Sequence, residues 1–364
     1  MDKSLPPPDP DPPHLPYMPG FVMHVTEHQP PAPFGPGGYP PSEHPYSTES
    51  WLEDTPQIQQ VLTCPPLDTE WPSNTAPRSG VLTITKLISV GEARGAQLVA
   101  CNVLLSGQTR PYTAMAKIYD SLYYPFRNTL YGPPNDVVWK ADMDYSREAA
   151  AYRHLQTTEQ QKSSFAPRYY GSWTFDLALM WQGKLYTRPI RLLLIEHITG
   201  SSVLSLYAKN SQVLDDASPN AFHYDEAYRL DVLAELLEGV LRQLHTGLNQ
   251  KDLSPRNVML VPSPHEAMPP LSMPRVVLID YNIAVVSEHT KYGRHPHQDL
   301  SLPMNPAEFY WSDLPLEFRG WFPARWYKQD RRSYQEWLLS RFGGKNANRF
   351  APIQDKLEFD CNSA

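Results

Sequence analysis

The sequence predicts an α+β protein in which a β-rich half precedes an α-rich half, behind a disordered N-terminal tail. Three observations support this. Of 39 prolines, 20 fall in the first 80 of 364 residues, and such a segment lacks the backbone donors and the apolar density of a packed core. Short apolar strands follow from residue 81. A long amphipathic helix then occupies residues 225–244.

The proline-rich tail covers residues 1–78, and order is expected to begin near Ser79. Its proline runs favour extended polyproline II, which builds no core. A solvated tail is the simplest interpretation. The alternative is a docking segment for a proline-reading partner, because such partners use a pre-extended backbone. A short helix is expected around Thr55–Leu62.

Alternating, β-branched segments predict the strands of the first half. The first three follow one another closely and suggest an antiparallel meander. A helix rich in strong helix formers then begins at Asp144 or Ser146 and runs to Leu155, before two further strands. The predicted strands are residues 81–89, 98–105, 112–119, 167–181 and 190–198.

The long helix is predicted from leucines at steps of three and four from Leu230 to Leu244, with Gly247 as a stop signal. Two short apolar strands follow it, at 258–261 and 275–280. A proline-rich insertion, Pro262 to Pro274, separates these strands. The second half is therefore expected to be mainly helical.

Composition and charge exclude several classes of protein. A net charge of −7 argues against a surface built to bind nucleic acid. The cysteines Cys64, Cys101 and Cys361 are too few and too scattered for a disulfide framework or a zinc site. No apolar run has the length of a signal peptide core or a membrane span. We therefore expect an intracellular protein, cytoplasmic or nuclear, with no nucleic-acid or membrane partner.

Three side chains in the second half suit phosphoryl transfer. Asp252 and Asn257 lie five residues apart in a loop after the long helix, and Asp280 ends an apolar strand. Transfer from ATP requires oxygen ligands for Mg²⁺ and a carboxylate that orients the attacking hydroxyl. These residues can supply both. An ordinary turn pair is the structural alternative for Asp252 and Asn257.

Five motifs occur in the order in which protein kinases carry them. Asp252-Leu-Ser-Pro-Arg-Asn257 resembles the kinase catalytic loop, with Leu-His-Thr-Gly before it at 244–247. Asp280-Tyr281-Asn282 stands where kinases have Asp-Phe-Gly. Upstream, Ala114-Met-Ala-Lys117 resembles the Val-Ala-Ile-Lys strand, and Glu148 on the following helix matches the partner of that lysine.

The chain from about residue 81 to residue 310 therefore resembles the eukaryotic protein-kinase-like family, and in texture the kinase-like proteins of filamentous fungi. The resemblance implies a bilobal fold with nucleotide in the cleft between the lobes. Residues 79–198 would form an N-lobe, an antiparallel sheet with one helix. Residues 199–345 would form an α-rich C-lobe, and residues 346–364 a C-terminal extension.

The same resemblance implies ATP and Mg²⁺ as cofactors. Lys117, positioned by Glu148, would contact the ATP phosphates, and the glycine loop with Gly91 and Gly95 would approach them through its backbone. A lysine facing solvent and an acid placed by the helix dipole are the structural alternatives for Lys117 and Glu148.

Within the second half, the resemblance assigns Asp252 to orient the acceptor hydroxyl, and Asn257 and Asp280 to hold Mg²⁺. The implied reaction transfers the ATP γ-phosphate to a hydroxyl, most simply a Ser or Thr of a protein. The partner is thus an unidentified protein or small-molecule hydroxyl substrate.

Departures from the kinase pattern keep two alternatives open. Gln250-Lys251 replaces His-Arg, Asn282 replaces a glycine whose left-handed turn asparagine can keep, and the glycine loop is reduced. These changes favour a pseudokinase, which would serve as a binding or scaffold module. The short chain after Asp280 would also suit a small-molecule kinase of the aminoglycoside or choline type.

Two further clusters have simple interpretations. Large aromatic residues near the C-terminus are expected to pack as a core; they are Trp311, Trp321, Trp326, Trp337 and Phe342. His289, His295 and His297 with Asp299 could ligate a metal. A polar mobile loop is the preferred interpretation, because the alternation of His and Pro offers no evident scaffold.

Overall fold

The structure is a computed structural model. It describes residues 13–42, 44, 47–72, 75–92, 94–127, 134–158, 165–208, 219–265 and 271–360. The chain divides into two compact units. The first comprises Met1–Arg153 and Arg168–His197, and the second comprises His154–Pro167 and Ile198–Ala364.

The first unit contains a closed barrel of six antiparallel strands in the order β1-β2-β3-β4-β6-β5, in which β1 also pairs with β5. Alternate side chains point inward along each strand, as its period of two requires. The strands are β1 (Val22–Glu27), β2 (Ser79–Ser89), β3 (Gln97–Leu105), β4 (Tyr112–Tyr119), β5 (Tyr169–Trp181) and β6 (Lys184–Glu196). The helices are α1 (Glu49–Asp54), α2 (Gln57–Thr63) and α3 (Val137–Thr158).

The predicted bilobal kinase fold, with an antiparallel sheet and one helix behind a disordered proline-rich tail, is wrong. The described part of that tail contributes β1, which closes the barrel between β2 and β5. Met23 and Val25 of β1 are 1% exposed, while His24 and Thr26 face outward. The proline count hid this six-residue strand, because the count averages over a segment much longer than the strand.

A buried polar network anchors the chain before β1. The Tyr17 hydroxyl donates to Asp120 Oδ2 at 2.6 Å, and Arg188 donates to both oxygens of the same carboxylate. Asp120 is fully buried and also accepts from the Leu122 backbone N–H. Since an unpaired buried charge is costly, Tyr17, Asp120 and Arg188 depend on one another. The chain around residue 17 is therefore part of the folded first unit.

Helix α3 begins earlier than the sequence predicts. Its first residue is Val137 rather than one near Ser146, and Asp136 caps it by accepting from the Trp139 backbone N–H at 3.0 Å. The β-branched and aromatic residues of the first turn have modest helix propensity, which concealed this start. Glu148 consequently lies in the middle of a 22-residue helix.

The second unit contains two small sheets, ordered β10-β9-β7 and β11-β8. The strands are β7 (Ser201–Ser202), β8 (Leu248–Asn249), β9 (Val258–Val261), β10 (Arg275–Leu278) and β11 (Val285–Val286). The helices are α4 (Glu226–Thr246), α5 (Pro306–Phe309), α6 (Arg325–Lys328) and α7 (Arg331–Phe342). The predicted α-rich C-lobe is wrong, because α5 and α6 have four residues each and only α4 and α7 are longer among the described residues of this unit.

Helix α4 confirms the prediction from its leucine spacing. The Asp225 carboxylate accepts from the Ala227 and Tyr228 backbone N–H groups and caps its start. Gly247 ends it in the left-handed conformation, with φ of 97°. The predicted aromatic core is also confirmed at four positions. Trp311, Trp321, Trp326 and Phe342 are buried, and Trp337 is half-buried against Trp326.

Within the described parts of the chain, no helix combines the length and the apolar character needed to cross a membrane.

The buried imidazole of His28, just after β1, makes the stability of the first unit depend on pH. Burial, helped by the positive charge of Arg191, lowers its pKa from 6.5 to about 4. As the pH falls from 6.5 towards 4, the unfolded chain binds a proton that the folded chain does not. The free energy of unfolding should therefore fall by roughly 3 kcal/mol over this range.

We expect His28→Gln to remove this part of the pH dependence. Urea unfolding at pH 7, 5.5 and 4 measures it in the unmodified protein and the variant. The exposed His289 supplies the control, since His289→Gln should leave the pH profile unchanged. An unaltered profile in His28→Gln would show that this imidazole is not held neutral by burial.

Candidate functional site

Lys117 and Glu148 form a buried ion pair in the first unit. Lys117 Nζ lies 2.5 Å from Glu148 Oε2, and the two side chains are 8% and 1% exposed. Strand β4 supplies the lysine, and the middle of α3 supplies the glutamate. The structure therefore brings together the two residues that the sequence singles out as a pair, and it rules out a solvent-facing lysine at 117.

Tyr119 is a third member of this cluster that the sequence analysis missed. Its hydroxyl donates to Glu148 Oε2 at 2.7 Å. Burial, together with the negative charge of Glu148, holds the pKa of Tyr119 well above its ordinary value, so the phenol keeps its proton and remains a donor. Residues two apart on a strand share a face. The spacing from Lys117 to Tyr119 was the available signal.

The loop between β2 and β3 is organised by the side chain of Gln97. Its Oε1 accepts from the Gly91 backbone N–H at 2.8 Å, and its Nε2 donates to the carbonyl oxygens of Gly91 and Gly95 at 3.0 Å. Gly95 has φ of 85°, a conformation that favours glycine. Because Gly91 already donates its N–H within the loop, that group can contact a phosphate only if the bond to Gln97 breaks.

In the second unit, Asp252 and Asn257 are hydrogen-bonded to each other. Asn257 Nδ2 donates to the Asp252 carbonyl and to Asp252 Oδ2, both at 2.9 Å. Arg256 Nη2 lies 2.6 Å from the same Oδ2. The amide oxygen of Asn257 is therefore left for another donor or a cation, and Oδ1 of Asp252 receives no donor from the described residues.

The strand pair β9 and β10 brings Asp280 back to this loop despite the proline-rich insertion. Val258 is paired with Leu278, and the Ile279 backbone N–H donates to the Asn257 carbonyl at 2.8 Å. The two halves of the predicted site, 23 residues apart in sequence, are thus joined by one sheet. Part of the insertion, 266–270, lies outside the described residues.

Gln250 links the two halves a second time. Its Nε2 donates to the carbonyl oxygens of Ile279 and Asp280, at 3.1 and 2.7 Å, and its Oε1 accepts from the Asp252 backbone N–H at 2.7 Å. The side chain is largely buried. An amide can donate and accept at once, which suits this bridge. In the sequence, Gln250 stands out only as a departure from the kinase pattern.

The backbone is strained beside both predicted carboxylates. Asp280 has φ of 65° and Lys251, next to Asp252, has φ of 70°; among the described residues only Gln182 is a further non-glycine with positive φ. Such conformations cost free energy and cluster at functional sites. The expectation that Asn282 takes the left-handed position is wrong, because Asp280 itself takes it.

The chemistry of this donor set suits Mg²⁺, which prefers carboxylate and amide oxygens. Asp280 and Asn257 offer such oxygens, and the strand pair and Gln250 hold their backbones together. In the described residues, no group of three or more His, Cys, Asp or Glu side chains is arranged to hold a metal. A site here would therefore rely on the amide of Asn257 and on ligands from outside the protein, such as phosphate oxygens or water.

The histidines after β11 have structural roles. The His295 side chain accepts from the His297 backbone N–H and caps a short 3₁₀ helix, Pro296–Asp299. The His297 carbonyl is hydrogen-bonded to the His245 ring at 2.9 Å. Hydrogen bonds therefore hold this segment in place.

The chain matches no protein-family model, and no curated protein is significantly similar to it.

The bridge made by Gln250 predicts a large local cost when it is removed. Gln250→Leu leaves two carbonyl oxygens and one N–H without a partner, so we expect the free energy of unfolding to fall by about 2–3 kcal/mol. Urea unfolding measures this. The exposed Gln354 provides the control, since Gln354→Leu should change stability by less than about 0.5 kcal/mol. Equal effects of the two substitutions would contradict the bridging role.

Proposed function

We propose that this protein binds ATP with Mg²⁺ and transfers the γ-phosphate to a hydroxyl group. The observation that carries the proposal is the buried ion pair between Lys117 and Glu148. Removing two charges from water costs free energy, so a buried ion pair adds little net stability to a fold. Replacing such a pair by hydrophobic residues of the same size often leaves a protein equally stable. A lysine held in place by a buried carboxylate is, however, well suited to binding an anionic phosphate.

Within the first unit, Lys117 is the candidate phosphate contact. Glu148 accepts from both Lys117 and Tyr119, so one carboxylate fixes the lysine while the tyrosine fixes the carboxylate. A lysine ammonium is a compact charge with three donors. It can therefore bind phosphate oxygens while it remains bonded to Glu148.

Within the second unit, Asp252 is the candidate contact for an acceptor hydroxyl. Asp252 uses Oδ2 for its bonds to Arg256 and Asn257, which orients the carboxylate and leaves Oδ1 to accept the proton of a substrate hydroxyl. Asn257 and Asp280 would hold Mg²⁺, which when bound neutralises charge on the phosphates. The described geometry supports a hydroxyl acceptor without selecting between a protein and a small molecule.

A nucleotide-binding module without transfer activity is the second candidate. One observation favours it: Arg256 forms an ion pair with the Asp252 carboxylate that would orient the hydroxyl. This ion pair occupies the carboxylate that transfer would use and leaves the candidate phosphate contact of Lys117 unaffected. A module of this kind would use nucleotide to stabilise its own fold.

Thermal unfolding with ATP, with and without Mg²⁺, tests the proposal. At 100 times the dissociation constant, ATP should add about 2.7 kcal/mol of stability, which raises Tm by several degrees. We expect Lys117→Met and Asp280→Asn to weaken ATP binding at least about tenfold, because each removes a charged contact. The Tm of each variant is compared with and without ATP, so that its own change in stability cancels.

Two matched controls keep the test specific. Lys184 and Asp176 are an exposed lysine and an exposed aspartate of the barrel strands. Lys184→Met and Asp176→Asn should bind ATP as the unmodified protein does. If ATP has no effect on the unmodified protein, the proposal is wrong. If ATP binds but no labelled γ-phosphate reaches a protein or small-molecule acceptor, the binding module is correct.

A further inference from the structure

The N-terminal segment that precedes the second barrel strand is bonded to α3 and its N-cap at four places. These contacts involve residues between 28 and 67 on one side and residues between 136 and 147 on the other. At the N-cap, Ser47 Oγ donates to Asp136 Oδ2 at 2.6 Å. Further along the helix, His44 Nε2 and the Leu67 N–H contact Asp142 Oδ2 at 2.7 and 2.6 Å. Nearer to Glu148, His28 Nδ1 contacts the Tyr145 hydroxyl at 2.7 Å, and Arg147 donates to the carbonyl oxygens of Phe34 and Pro36.

These contacts extend over the first half of the helix that carries Glu148. Asp142, Tyr145 and Arg147 are all less than 5% exposed. Successive helix residues point about 100° apart, so Arg147 and its neighbour Glu148 face different surroundings. Glu148 contacts Lys117 on the barrel, while Arg147 contacts the N-terminal segment. The helix is therefore held on two sides.

Arg147 is the contact nearest to Glu148 in sequence. Its Nε lies 2.9 Å from the Phe34 carbonyl oxygen, and its guanidinium lies 5.1 Å from the centre of the Tyr39 ring. Burial lowers the pKa of Arg147, and the nearby Tyr39 and Asp144 partly oppose this by raising the pKa. The planar fork of arginine can bond two carbonyls together, which lysine cannot reproduce.

Gly35 fits tightly against this contact. A Cβ at residue 35 would lie 3.0 Å from Arg147 Nη2 and 3.0 Å from Met143 Sδ. Its φ is 91°, in the left-handed region. Gly20 has the same φ of 91°, but a Cβ there would meet no atom within 4 Å. The two glycines differ in whether a side chain would push against α3.

We propose that the described residues of the segment, 28–42, 44 and 47–67, form a clamp on α3 and that Arg147 is a positioning residue, which sets the place of Glu148 against Lys117. The clamp does not touch the ion pair. It acts through the helix: when the clamp loosens, α3 moves more freely and the ion pair opens more often. Its effect on ATP rests on the function proposed above, whereas its effect on the helix does not.

The test compares Gly35→Ala with Gly20→Ala in the full chain. Both glycines have φ of 91°, and only at residue 35 would the added Cβ press on Arg147. In Gly35→Ala we expect amide hydrogen exchange in residues 137–153 of α3 to become about tenfold faster, which corresponds to the loss of one charged hydrogen bond. Acylation of Lys117 by an amine-reactive reagent, measured by mass spectrometry, should rise by a similar factor. Gly20→Ala should change neither.

Arg147→Lys is the second variant and decides the question if Gly35→Ala does not fold. This substitution keeps the positive charge and loses the planar guanidinium that bonds two carbonyls. Amide hydrogen exchange in α3 and acylation of Lys117 should therefore both rise, but by less than in Arg147→Ala. The proposal is overturned if the Gly35 and Gly20 variants behave alike, or if Arg147→Lys and Arg147→Ala leave Lys117 as protected as in the unmodified protein.

The ATP measurement separates this inference from the proposed function. If the unmodified protein binds ATP, Gly35→Ala should weaken binding while Gly20→Ala does not. If the unmodified protein does not bind ATP, the proposed function fails, and hydrogen exchange and Lys117 labelling still decide whether the clamp exists.

Discussion

The ion pair between Lys117 and Glu148 is the interaction around which the candidate site of the first unit is arranged. Two opposite charges leave water in a setting where each alone would be costly. The surrounding residues reduce this cost: Tyr119 donates to the carboxylate, the barrel fixes β4, and α3 fixes the glutamate. The N-terminal segment in turn is bonded to α3. The segment that looks like a tail by its composition is therefore connected, through α3, to the buried carboxylate of Glu148.

The second unit has a different task, which is to hold the loop of Asp252 next to the loop of Asp280. The short β9–β10 pair and the amide of Gln250 bind the loop of Asp252 to the loop of Asp280 through backbone groups. Backbone strain at Lys251 and Asp280 accompanies this arrangement. Strained residues persist only where neighbouring bonds fix them. The bridge of Gln250 provides such bonds, so this residue supports the site although it is not a charged group.

Local signals in the sequence were sufficient for the elements that contain their own periodicity. The leucines of α4, the apolar runs of β9 and β10, and the strand ending near Lys117 are examples, and the partner of Lys117 could be named because the motif order placed it. The closure of the barrel by β1 could not be predicted, because it depends on a pairing between residues such as Val22 and Thr83 that lie far apart in the chain. The start of α3 was concealed by poor helix formers, and the bridge of Gln250 by contacts with residues about 30 positions away.

A paired substitution in the ion pair tests the central claim, that these charges are kept for a ligand rather than for stability. Lys117→Met and Glu148→Gln should each destabilise the protein by about 3–5 kcal/mol, because each leaves a buried group without its partner. Combined, they should cost much less than the sum, since the amide introduced by Glu148→Gln can still accept from Tyr119, and the stabilisation by ATP should be absent. The free energies of unfolding and the ATP titrations of the four proteins measure this. An additive loss of stability, or ATP binding that survives in the double variant, would contradict the account.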